Sequence, residues 1–146
     1  MINITSIGAY EHEEEIIHDS LVWILPEVNA TEDLEQAFVT DLRNQTAEML
    51  SDGSYARKGR SSAAFVMVRP TTTTTLANTD LRSYLHGETT IPGNKKDHNS
   101  YRGELGGILA GVVYTNELCK KHHVTTGKCI FGCDNTGALS AIFGWK

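Results

Sequence analysis

One stretch constrains the fold more than any other. Ser100 to Cys119 reads as a single long helix with an unusual face. Leu105, Ile108, Leu109, Val112, Val113 and Leu118 recur at helical spacing and supply an apolar stripe. Gly106, Gly107 and Gly111 interrupt it. A glycine inside a helix costs about 1 kcal/mol against alanine, so three of them call for a compensating contact. Close approach of the helix to a sheet is the expected one.

Strand patterns flank this helix. Glu48-Met49-Leu50-Ser51, the turn-forming Tyr55-Ala56-Arg57-Lys58-Gly59-Arg60 and the apolar run from Ser62 to Val68 read as strand, turn, strand. Leu81 to Gly87 reads as a third strand, and Ile91-Pro92-Gly93-Asn94 breaks the chain. After the helix, Lys128 to Cys133 reads as a fourth strand, with Cys129, Phe131 and Cys133 on one face and Ile130, Gly132 and Asp134 on the other. A further helix begins near Thr136. The expectation is an α/β domain with a mixed sheet. Strands over 47–56, 60–69 and 80–89 form an antiparallel meander, and a strand over 128–134 lies parallel to the first. The helix over 100–120 is the right-handed crossover between them.

Residues 1–46 differ in character and read as an N-terminal helical arm or connector preceding a domain over 47–146. An apolar run lies between Glu13 and Leu25, before Pro26. Thr31 is placed to cap a helix whose first turn carries Glu32, Asp33 and Glu35, and Leu34, Phe38 and Leu42 fall on one stripe. Five threonines follow Pro70 and read as a loop or frayed strand end.

Composition narrows the function classes. The net charge of −5 argues against a protein held on nucleic acid by bulk charge. Local basic clusters remain at Arg57-Lys58-Gly59-Arg60, Lys95-Lys96-Asp97-His98 and Lys120-Lys121-His122-His123, where solvated turns and helix ends are the simpler account. No stretch is apolar enough to span a membrane, and the acidic Glu11-His12-Glu13-Glu14-Glu15 does not suit a secretory leader. Three cysteines make no disulfide framework. An intracellular site, cytoplasmic or nuclear, is expected, so the triplets at Asn3, Asn29 and Asn44 are read as chance matches to a glycosylation signal.

Three acids stand at the ends or starts of separate elements: Asp52 at the end of the first strand, Glu104 early in the helix, and Asp134 at the end of the fourth strand. Taken singly, each has an ordinary explanation. Asp-Gly is a turn signal, a glutamate in a first helical turn complements the dipole, and an aspartate before Asn-Thr-Gly can cap a helix. With Ser100 as the cap, however, Glu104 falls one residue past the capping-box position. If the three elements are neighbours, the acids converge, and converging carboxylates repel unless a hard divalent cation lies between them.

In this order and context the residues resemble the ribonuclease H domain of retroelement reverse transcriptases, within the ribonuclease H-like superfamily. The resemblance rests on Ser51-Asp52-Gly53-Ser54 with Gly59 and Ala63-Ala64-Phe65-Val66, on Ser100-Tyr101-Arg102-Gly103-Glu104-Leu105, and on Cys133-Asp134-Asn135. It implies an endonuclease that hydrolyses the RNA strand of RNA/DNA hybrids, with a polymerase region of the same polyprotein as neighbour. It implies Asp52, Glu104 and Asp134 as catalytic and metal-binding residues for Mg²⁺, or Mn²⁺, with Asp52 bridging two ions about 4 Å apart. It implies Gly53, Ser54, Ser100, Tyr101, Arg102 and Asn135 as the substrate-facing surroundings, and hybrid recognition through 2′-hydroxyl groups.

The family pattern continues with a fourth carboxylate, a histidine before it, a fifth strand and further helices, none of which lies within this chain. A domain truncated after its fourth strand is therefore expected. Two further readings compete: a catalytically impaired nucleic-acid-binding or scaffold module on the same fold, and a three-carboxylate polynucleotidyl transferase, which the Ser-Asp-Gly-Ser and Arg-Gly-Glu-Leu contexts fit less well. Without the fifth strand, residues 128–133 are expected to form an exposed apolar edge prone to self-association, unless the N-terminal 46 residues fold over it, with the stripe Leu34, Phe38, Leu42 the part best suited to do so.

Other chemistries fit less well. Cys119, His122, His123, Cys129 and Cys133 lack a paired Cys-x-x-Cys spacing, and Cys129 and Cys133 sit where small buried residues belong. Ser54 lacks a nucleophile elbow, and no glycine motif cradles a phosphate.

Overall fold

The computed structural model describes residues 2–4, 28–56, 59–68 and 84–143. The long helix is there, as α2 (Ser100–Lys121), with α1 (Glu32–Arg43) before it and α3 (Thr136–Phe143) after it. The strands are β1 (Ile2–Ile4), β2 (Ala47–Ala56), β3 (Arg60–Val68), β4 (His86–Thr90) and β5 (Cys129–Gly132). They form one mixed sheet in the order β1-β5-β2-β3-β4. β2, β3 and β4 are the expected antiparallel meander, and β5 runs parallel to β2. The third strand begins at His86, later than the pattern suggested, and residues 81–83 lie outside the described residues.

The glycines of α2 explain how closely helix and sheet approach. A Cβ on Gly107 would stand 3.2 Å from the Asp52 carbonyl oxygen, and one on Gly111 would overlap the Met49 side chain. Gly103 belongs to the same row, four residues earlier, and lies against the backbone of Ser54 and Ser62. The contact is mutual at one point: a Cβ on Gly53 of β2 would fall on the backbone of Gly103 and Glu104. The cost of helical glycine is thus offset by backbone-to-backbone packing.

The cap of α2 is Asn99 rather than Ser100. Asn99 is extended and its side chain accepts from the Arg102 N–H at 2.8 Å, which leaves Ser100 as the first helical residue. His98, just before the cap, is buried and accepts from the Ser61 N–H at 2.8 Å through Nδ1, tying the start of α2 to β3. Thr31 caps α1 as expected, accepting from the Leu34 N–H.

Phe38, Val39 and Leu42 of α1 join Met49, Phe65, Met67, Leu118 and Phe131 in the main core. A smaller cluster, Ile108 with Ala138 and Leu139, joins α2 to α3. The stripe on α1 therefore fills the core and does not cover the outer edge of β5. That edge is nonetheless not bare. β1 pairs with it antiparallel, with Ile2, Asn3 and Ile4 opposite Phe131, Ile130 and Cys129. The N-terminal residues thus cover the edge, the alternative to an exposed one, but they do so through the backbone of Ile2–Ile4 and not through the stripe on α1. The apolar run from Glu13 to Leu25 and the threonines after Pro70 lie outside the described residues. No helix among the described residues is long and apolar enough to cross a membrane.

Candidate metal centre

Two parallel strands and one helix start bring the acids together. Leu50 and Gly132 are the last paired residues of β2 and β5, so Asp52 and Asp134 each stand two residues beyond the same point. The Gly53–Gly103 contact places the first turns of α2 over that end of β2. Glu104 is buried, 8% exposed, whereas Asp52 and Asp134 are exposed.

Glu104 and Asp134 converge with a third group, Cys133, and one ligand atom from each lies within 4.8 Å of the others. The Cys133 thiol donates to Glu104 Oε2 at 3.2 Å and accepts from the Asn135 N–H at 3.4 Å. Asp52 stands outside this tight set. Strand alternation places it, with Leu50 and Ser54, on the face of β2 turned away from α2, while Met49 and Ser51 are buried on the helix side. Its charge nonetheless acts on Glu104.

The electrostatics follow from this placement. Burial raises the Glu104 pKa above the ordinary 4.5, and the charges of Asp134 and Asp52 raise it further. The Cys133 hydrogen bond and the Gly53 amide only partly oppose them. Burial also raises the Cys133 thiol, and its bond to Glu104 adds to the effect against the pull of the Asn135 amide. Excess negative charge at a partly buried site is what a divalent cation relieves. The donor set is mixed: two carboxylates suit a hard ion, and the thiol suits a softer one.

The remaining predicted residues divide. Gly53 is a packing position beneath α2, though its amide hydrogen-bonds to Glu104. Ser54 is exposed and its hydroxyl lies 2.7 Å from that of Ser62. Together with Asp52, Ala64, Glu88 and Thr90 they line a shallow depression of about 220 Å³. Ser100 and Tyr101 are exposed, with Tyr101 reaching the Gly137 carbonyl at 3.4 Å. Arg102 is turned to its own scaffold: it donates to the Pro92 carbonyl at 2.7 Å and packs against Gly93. Asn135 caps α3 by accepting from the Ala138 N–H at 2.9 Å, so Asp134 is free of the capping duty.

Lys121 and His122, read as part of a basic cluster, both bond to Glu35. Sequence reasoning missed Cys133 as a site member. The available signal was its position one residue before Asp134, on the strand face turned to the helix that carries Glu104.

No family model, no curated protein and no solved structure matches this chain.

Proposed function

We propose that the chain is a ribonuclease H-type endonuclease module that hydrolyses the RNA strand of RNA/DNA hybrids, working beside the polymerase region of a retroelement reverse transcriptase. The observation that carries the reading is the convergence of Glu104 and Asp134, with the Asp52 charge acting on Glu104 from β2, where the parallel pairing of β2 and β5 ends at the start of α2. The order of elements and the mixed sheet agree with a ribonuclease H-like fold.

Glu104 and Asp134 would hold Mg²⁺ or Mn²⁺, with Asp52 as the third carboxylate. A divalent ion supplies charge neutralisation at a phosphodiester and activation of water. Buried Glu104 offers a fixed carboxyl beside the exposed Asp134. The Ser54 and Ser62 hydroxyls, exposed next to Asp52, offer donors and acceptors for a 2′-hydroxyl or a phosphate oxygen. With a net charge of −5, binding must rest on such local contacts and on the cation.

One observation favours a second reading, a nucleic-acid-binding module with impaired catalysis: Asp52 stands outside the tight set. A hybrid-cleavage assay with Mg²⁺ or Mn²⁺, beside Asp52→Asn, decides. Weak cation-dependent cleavage that vanishes in Asp52→Asn supports the endonuclease. Hybrid binding without cleavage supports the second reading. Cleavage that survives Asp52→Asn rejects the proposed roles of the acids.

A further inference from the structure

We propose that Cys133, Glu104 and Asp134 form a binding site for a thiophilic divalent cation of the Zn²⁺ class, with the Cys133 thiolate as a direct ligand. The inference rests on the geometry at Cys133 and not on the nuclease reading, since it requires neither Asp52 nor a nucleic acid.

The distances suit such an ion. Zinc bonds of about 2.3 Å to sulfur and 2.0–2.2 Å to oxygen give tetrahedral ligand-to-ligand edges of about 3.6 Å. Cys133 Sγ is already 3.2 Å from Glu104 Oε2, and all three ligand atoms lie within 4.8 Å of one another. Asp134 is exposed, so a modest side-chain rotation closes the set. Among the described residues no other group of three such side chains converges in this way.

A second, independent observation concerns Ser51. Its hydroxyl is buried at 9% exposure, meets no oxygen or nitrogen partner, and bears on the Cys133 sulfur as a donor that favours the thiolate. A thiol accepts hydrogen bonds weakly, whereas a thiolate accepts them well. The Ser51 hydroxyl and the Asn135 N–H therefore converge on a sulfur whose anionic form would use both. In the cation-free protein the S–H points at Glu104. On binding, that S–H bond breaks, a sulfur–metal bond forms, and the proton leaves to solvent. The cation takes the place of the proton shared between sulfur and carboxylate.

This site differs from one for Mg²⁺, which is bound through oxygen alone and gains nothing from a thiolate. Cys119 and Cys129, the other thiols, are buried and belong to the main core.

The test is titration of the reduced full chain with Cd²⁺ alone, read by the sulfur-to-cadmium charge-transfer absorption in the ultraviolet and by proton release. A saturable band is expected, absent in Cys133→Ser and retained in Cys119→Ala and Cys129→Ala. Ser51→Ala should weaken binding by about tenfold, the low end of the usual outer-shell effect. Glu104→Gln and Asp134→Asn, which leave every thiol in place, should weaken it further, which keeps the test decisive if Cys133→Ser does not fold. A band that survives Cys133→Ser, or no saturable band in the unaltered chain, overturns the proposal. A chain inactive on hybrids that still shows the Cys133-dependent band leaves this inference standing and sinks the nuclease reading alone.

Discussion

The two ends of α2 each hold a buried glutamate, and the two behave oppositely. At its start, Glu104 lies among Asp52, Asp134 and a thiol, and its pKa is raised. At its far end, Glu35 of α1 lies against the Lys121 ammonium at 2.6 Å and the His122 ring at 3.1 Å. Burial pushes Glu35 up, yet the hydrogen bonds from Lys121 and His122 outweigh it and hold the carboxyl below its ordinary value. Exposure hardly differs, 7% for Glu35 and 8% for Glu104. Burial alone therefore decides nothing; the sign of the neighbouring charges does. One end is a staple between helices. The other gathers like charges around a buried carboxyl, which a divalent cation would relieve.

The largest effect should come from forcing the acidic end apart. Gly53→Ala places a Cβ 2.2 Å from the Gly103 carbonyl carbon, and backbone on both sides cannot yield as a side chain would. A loss of about 3 kcal/mol or more is expected from such overpacking. Chemical denaturation should show a lower midpoint. Unchanged stability would mean that α2 does not rest on β2 at this point.

A milder change removes the staple. In Glu35→Gln the melting temperature should fall at neutral pH, because the charge-assisted bonds to Lys121 and His122 are lost. The folded pKa of Glu35 lies below the unfolded 4.5. Its contribution is therefore present above pH 4.5 and disappears as pH falls through the folded value. The gap between variant and parent should close on acidification. A gap that persists in acid would assign the effect to packing.

The smallest effect has the opposite sign. The folded pKa of Glu104 lies above 4.5, so the folded state is favoured below pH 4.5 and loses that advantage as pH rises through the folded value. In buffer free of divalent cations, Glu104→Gln should melt a few degrees higher than the parent at neutral pH and alongside it in acid. A variant less stable than the parent at neutral pH would show that the Glu104 carboxylate is already compensated without a cation.

The features legible in the residues alone were local. The spacing of Leu105, Ile108 and Val112 made α2 a helix, and the glycines within it announced close packing. Thr31 capped α1, and alternation along residues 62–68 produced β3. The order of Asp52, Glu104 and Asp134 was legible in the sequence, but the expectation that Asp52 ends its strand was not met: β2 runs on to Ala56, with Asp52 paired to Ala64 inside it. Adjacent residues encode local features, since helix and strand periods repeat over a few positions. Tertiary structure alone decided which elements became neighbours. It set Ile2–Ile4 along β5, drew α1 into the main core, and turned Arg102 to Pro92. It placed Cys133 beside Glu104, set Ser51 against Cys133, and left Asp52 on the other face of β2. Those facts depend on strand register and on contacts between residues far apart in the chain, and no local period records either.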